Sequence, residues 1–385
     1  MLKENSNLLN DIIMNAKCYM NISQNCIKLC QQDNKIIYGN ENGNLFLILK
    51  LVSDMSVFVY EAINFLNFTQ LNKFKNKIQT IYGEEYLQNL KLIRNNIHLY
   101  NTYGSYKNKA DHIISDRLDE FKMKDHNDPL YSLRSDIALI YKIVENKGVF
   151  LGTNYFYDHY VYEVNGLNWS GYQIMQYASN TSSIIKFLSN KISNIDVPEI
   201  DFKYNNLHME FFDYKSEELF NNINISYTTA FRLILILTEL SYIFILIDDV
   251  LQIKDFHKVD TLWAFFLGKY IATKYDEALD SIENMLKYSK NKDCLKEILN
   301  NDNSKDTNSH IRKFAHDLRN MIHFGIQDIN KKNYIQNLSL LELYLIKTNT
   351  DDIEEFIGNC SLMINSMKNL ENNIRNIFNL DKSFK

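Results

Sequence analysis

Apolar residues recur every three or four positions at the start of the chain. Leu8, Leu9, Ile12, Ile13, Ala16, Tyr19 and Met20 fall on one stripe, which predicts an amphipathic helix. The pattern stops before the turn-rich GNENGN at 39–44. A second helix is predicted through Phe46, Leu49, Val52, Phe58, Val59, Ala62 and Ile63, and a third through Tyr86, Leu90 and Ile93. Asp128-Pro129 predicts a further helix start, because proline suits a first helical turn. That helix would carry Leu133, Ile137, Ile140 and Ile143 and end before Gly148.

From 148 to 204 the pattern changes. Tyrosine, glycine and asparagine crowd 152–172, and VYEVNGLNW alternates around an Asn-Gly turn signal, which predicts a small hairpin. Residues 174–192 read as helix, and 196–204 as extended chain broken by Pro198. Helical spacing then resumes over 229–251, 262–288 and 351–378, with a polar loop at 300–309 and Ser309 as the expected N-cap of the helix after it. The expected fold is all-α: two helical-bundle halves, 1–147 and 226–385, joined by a short irregular or hairpin-containing connector, 148–225.

The run FRLILILTELSYIFILI at 231–247 is, at about 17 residues, the lower edge of a membrane span. It carries Arg232 and Glu239 and ends in Asp248-Asp249, so a buried core helix with Glu239 paired or at its edge is the expectation, and no membrane partner.

Composition sharpens this picture in three places. Only 2 prolines and 11 glycines interrupt 385 residues, which favours long helices. The net charge of -5 argues against coating nucleic acid by bulk charge. Locally the sign reverses: Lys73, Lys75, Lys77, Lys91, Arg94, Lys107 and Lys109 face only Glu84 and Glu85 between 69 and 110. The 5 cysteines lack disulfide or metal spacing (Cys26 and Cys30 have no completing partners), so reduced thiols, no metal, no cofactor and a cytoplasmic setting are expected. The opening MLKENSNLLNDII has no signal-peptide pattern.

The chemistry is suggested by a phrase written twice. Arg94, Asn95, Asn96, Ile97 and His98 read R-N-N-I-H; Arg319, Asn320, Met321, Ile322 and His323 read R-N-M-I-H. An aromatic follows each, Tyr100 and Phe324. Residues four apart on a helix lie about 40° apart around its axis, so each arginine and histidine would share a face. A permanent cation beside a group titrating near neutrality suits chemistry on a phosphate. The second copy also sits among basic residues, and His316, three positions before Arg319, is a candidate for the same site.

On these residues, Arg94-Asn95 with His98 and Arg319-Asn320 with His323, the chain resembles the HEPN superfamily, small helical bundles found in many prokaryotic defence and toxin RNases. The resemblance implies a composite, metal-independent endoribonuclease site made by the two copies, with RNA as substrate, a phage-defence or toxin role, and an antitoxin or regulatory protein as partner. One histidine would take the ribose 2′-hydroxyl proton, another donor would assist the leaving 5′-oxygen, and arginine would steady the phosphate. Asn95 and Asn320 would hold the arginine or the phosphate by hydrogen bonds. Both copies place fewer residues between arginine and histidine than is usual in that family. This spacing and the acidic net charge support the alternative, a non-catalytic helical module that binds RNA or protein. IDDVLQ at 247–252 partly resembles the aspartate-rich helix of prenyl-chain synthases, but Gln252 stands where a second acid is needed. Asp158-His159 and His316-Asp317 lack metal spacing.

Overall fold

A computed structural model describes residues 6–32, 45–68, 72–95, 136–145, 147–153, 171–191, 195–203, 207–215, 225, 227–288, 292–300, 305–323 and 339–383. The predicted turn at 39–44, the helix start at Asp128-Pro129, the hairpin at 161–169, and His98, Tyr100, Asp158, His159 and Phe324 lie outside them.

The fold is predominantly helical. Helices α1 (Ser6–Gln32), α2 (Leu45–Phe68), α3 (Asn72–Tyr82) and α4 (Glu84–Asn95) precede strands β1 (Asp136–Val144) and β2 (Lys147–Thr153). Helix α5 (Gly171–Ser189), strand β3 (His208–Lys215) and the long helices α6 (Tyr227–Ile245) and α7 (Thr261–Tyr288) follow. Then come α8 (Lys292–Asn300), α9 (Lys305–Asn320), α10 (Leu340–Thr348), α11 (Ile353–Phe378) and the short strand β4 (Lys382–Ser383). One apolar core joins α1, α2, α6, α7, α9 and α11.

The apolar run 231–247 is the centre of that core. The segment Thr229–Val250 is long and apolar enough to cross a membrane, yet here its 18-residue apolar window is enclosed by the protein, and Asp248 near its end is exposed. Helix α6 packs on β2, α7 and α11. Beyond Ile245 the helix widens into a π turn, Leu246–Val250, closed by Leu251 N–H donating to the Leu246 carbonyl at 2.9 Å. The aspartate-rich segment is spent there: Lys142 holds Asp249 at 2.6 Å, and the Gln252 amide donates to the Lys203 carbonyl at 2.8 Å.

Two expectations are corrected. The helix predicted to carry Ile137, Ile140 and Ile143 is strand β1. It pairs antiparallel with β2 on one edge and β3 on the other, and β4 extends the sheet to the order β3-β1-β2-β4. Leu139, Ile140 and Tyr141 are buried in succession, so both faces are covered and the alternation that marks a strand is missing. Likewise α9 begins at Lys305, and Ser309 lies within it rather than at its cap. Its first turn holds Asp306, Thr307 and Asn308, and short polar side chains are tolerated there because the N–H groups lack helical partners.

Among the described residues, charge enters this core in two compensated sets on α1, α2, α6 and α7. Asp11 of α1, 1 % exposed, takes Lys269 at 3.0 Å and the Tyr344 hydroxyl at 2.8 Å. Lys50 and Asp54 of α2, Glu239 of α6 and Lys274 of α7 form a closed quartet with contacts of 2.8 to 3.1 Å. Tyr270 also donates to Asp54. Burial would raise the Asp54 carboxyl, but Lys274 and Lys50 hold it down at about 2. Free thiols occupy apolar sites: Cys18, Cys26 and Cys360 are buried, and burial pushes all three pKa values up.

Candidate functional site between the two repeats

Helix α2, LFLILKLVSDMSVFVYEAINFLNF, has three charged residues: Lys50, Asp54 and Glu61. The first two belong to the quartet. Glu61 lies two turns beyond Asp54 on the same face of α2 and binds a residue of each repeated motif. Arg94, in the last turn of α4, donates its Nε to Oε1 of Glu61 at 2.8 Å. His323 places Nδ1 3.1 Å from Oε2 of the same carboxylate. One residue from each copy of the phrase therefore meets on a single acid whose side chain is 5 % exposed.

The setting suits each partner. Arg94 sits where the helix dipole favours a cation and lies over the Tyr60 ring at 6.0 Å. Burial would raise the Glu61 carboxyl, but hydrogen bonds from His323 and Arg94 outweigh it and hold it below the usual range. Arg94 and His323 remain partly open to solvent, at 19 % and 32 %.

The second copy does not act as one face. Helix α9 ends at Asn320, and Met321–His323 tightens into a 3-10 turn. With three residues per turn instead of 3.6, the four-residue spacing no longer aligns Arg319 with His323. Arg319 turns to α7, where it meets Asp276 at 2.7 Å, Glu277 at 2.6 Å and Asp280 at 3.2 Å. His316 shares Asp276 at 3.2 Å, so it does neighbour Arg319. Arg312 binds Asp280 and Glu283. Asn320 is exposed, and Asn95 ends α4.

This second cluster is a charge ladder. Arg312, His316 and Arg319 on α9 repeat at i, i+4 and i+7, and Asp276, Asp280 and Glu283 on α7 repeat the same way. Both periods are written in the sequence and predict two facing helix edges. Three carboxylates around Arg319 leave that locality negative, which opposes a phosphate. Glu61 carried its own signal: an acid in an almost wholly apolar helix must find cations.

Between the clusters, Ile322 borders a recess of about 480 Å³, counting its open mouth. Tyr19, Phe58, Phe266 and Tyr270 line it together with polar groups that include Asp54 and Lys274 of the quartet. Among the described residues, no group of three or more His, Cys, Asp or Glu side chains is placed to hold a metal ion.

No protein-family model, curated protein sequence or solved structure matches this chain.

Proposed function

We propose that the chain is a metal-independent endoribonuclease of HEPN type whose site lies where the two copies of the motif meet. The observation that carries this reading is the convergence of Arg94 and His323 on Glu61. With Glu61 on Nδ1, proton exchange with substrate falls to His323 Nε2, and the carboxylate fixes the ring as acids do for catalytic histidines. Arg94 beside it supplies a planar cation for the phosphate. The imidazole takes the 2′-hydroxyl proton, the 2′-oxygen attacks phosphorus, and the 5′-oxygen leaves with a proton from a second donor, the role assigned to His98. A 2′,3′-cyclic phosphate results. The five free cysteines fit a reducing, cytoplasmic compartment. A phage-defence or toxin role, with an antitoxin or regulatory partner, belongs to the same reading.

One observation favours the second reading, a non-catalytic helical module that binds RNA or protein. Arg319 is committed to three carboxylates, so one of the two expected phosphate cations acts as a clamp between helices.

The test is incubation of the pure protein with labelled single-stranded RNA in EDTA, with the ends of the products identified. Cleavage should survive EDTA and leave cyclic or 3′-phosphate ends. His323→Ala should cost on the order of 100-fold or more, the loss expected for a general acid or base. Glu61→Gln should lower the rate less, and Arg319→Lys should act on stability more than on rate. If His323→Ala cleaves at the wild-type rate, the imidazole is structural and the binding reading takes over.

A further inference from the structure

Two elements of this acidic chain carry lysine and no carboxylate. Helix α3 contains Lys73, Lys75 and Lys77, and the stretch 171–191 contains Lys186 and Lys191; neither has an Asp or Glu, although the whole chain is at -5. The two elements meet at an aromatic pair. Phe74 of α3 stacks on Phe187 of α5 with centroids 5.5 Å apart and planes 16° apart. Phe187 is 38 % exposed. The Lys191 ammonium lies 4.2 Å from its centroid and that of Lys77 5.3 Å. Lys77, Lys186 and Lys191 are exposed, and among the described residues no carboxylate pairs with them.

An ammonium group on a protein surface ordinarily finds a carboxylate. Here, with no carboxylate among the described residues paired to them, two gather over a ring, which is a weak substitute in water. An exposed ring, held flat by a second ring beneath it and flanked by mobile cations, matches the chemistry of a single-stranded nucleic acid. Its bases offer π faces and its backbone offers one negative charge per nucleotide. Stacking of a base on an aromatic ring is stronger than an exposed cation–π contact, so a base displaces the ammonium groups, which then swing to the adjoining phosphates.

We infer that Phe187, backed by Phe74 and flanked by Lys77 and Lys191, is a stacking platform for one base of a single-stranded RNA, with the two lysines on the neighbouring phosphates. The choice of RNA rests on the function proposed above; the platform itself rests on the lysine and ring geometry. No base-edge reader lies in this group, so binding there is tolerant of sequence.

The test uses a fluorescent single-stranded RNA with every 2′-hydroxyl methylated, so that cleavage cannot contribute, and reads anisotropy against protein concentration and salt. The wild type should bind, and Phe187→Leu should weaken binding about tenfold or more while Phe187→Trp retains it. Lys77→Ala and Lys191→Ala should each lower the slope of log affinity against log salt by about 0.7. Lys258→Ala, at an exposed lysine outside both groups, should bind as the wild type does. Absence of cleavage with this binding pattern intact defeats the ribonuclease reading and leaves the platform standing. Unchanged affinity and salt slope in the Phe187 and lysine variants overturns the platform, whatever the cleavage result. Binding of anionic phospholipid vesicles without affinity for the RNA overturns it in favour of a lipid surface.

Discussion

Replacing Lys274 by methionine removes one of the two ammonium groups that keep Asp54 and Glu239 in the core. Its Nζ lies 2.9 Å from an oxygen of each acid, and Lys50 supplies the other cation at 2.8 and 3.1 Å. Two lysines and two acids sum to zero. Without Lys274 one negative charge is uncompensated, where Asp54 is 4 % exposed and Glu239 10 %. Methionine keeps most of the stem's apolar packing, so the loss is chiefly electrostatic. Removing one partner of a buried ion pair costs about 3–5 kcal/mol. With a urea m value of about 3 kcal/mol/M, the unfolding midpoint should fall by about 1.0–1.7 M. The assay is urea unfolding followed by circular dichroism and by fluorescence of buried Trp263. Lys274→Met/Asp54→Asn should recover at least half the loss, because it restores neutrality with Lys50 and Glu239. Acid should help the single variant. In the wild type the Asp54 carboxyl, held at about 2 against about 3.9 unfolded, adds stability above pH 4 that is lost as pH falls toward 2. Lys274, the larger of the two cationic influences that lower this carboxyl, is absent in the variant, so its deficit should shrink on acidification. A loss under about 1 kcal/mol, or a double variant no more stable than the single, would refute the reasoning.

Two further outcomes are expected. Gly152 has φ +142°, and a Cβ there would lie 1.9 Å from the Thr238 Oγ1 and 2.9 Å from its Cα, so Gly152→Ala should cost on the order of 3 kcal/mol in urea unfolding. Adding Thr238→Ala should recover only part, because the backbone clash remains; full recovery would show that the hydroxyl alone was the obstacle. For Glu61, burial is outweighed by His323 and Arg94, so its folded pKa is lowered. Its contribution is present above the ordinary carboxylate range and lost as pH falls through the lower folded value. Glu61→Gln should therefore flatten the acid limb of the stability curve as pH falls through and below the ordinary carboxylate range, and an unchanged limb would detach Glu61 from both partners.

How far the sequence could be read depended on helix length and on burial. The long helices α1, α2, α6, α7 and α11 were legible, because a three-to-four spacing sustained over many residues fits neither a strand nor a loop. The short α3, α8 and α10 offered too few turns for that spacing to speak. Even so, α10 is announced by Ser339 and Glu342, which form a reciprocal capping box. Strand β1 was hidden because Ile137, Ile140 and Ile143 also fit a helix, and a strand paired on both edges loses its alternation. At the site, the repeated phrase pointed to Arg94 and His323, which do meet. It could not show that α9 tightens after Asn320, since a 3-10 turn leaves no composition signal of its own. Glu61 and the ladder of Asp276, Asp280 and Glu283 were readable as unpaired acids on helices, but their cations came from distant segments.

The contact between Asp11 and Lys269 has a consequence in time. They are 258 residues apart, and Tyr344 completes the set 333 residues from Asp11. At about 5–20 residues per second, a ribosome reaches Lys269 roughly 13–52 s after Asp11. During that interval α1 has emerged with a carboxylate in the middle of its apolar face and no cation to neutralise it. Burying Asp11 before Lys269 exists would cost the desolvation of an unpaired carboxylate, so sealing α1 into the core becomes favourable once the helix that carries Lys269 has been made.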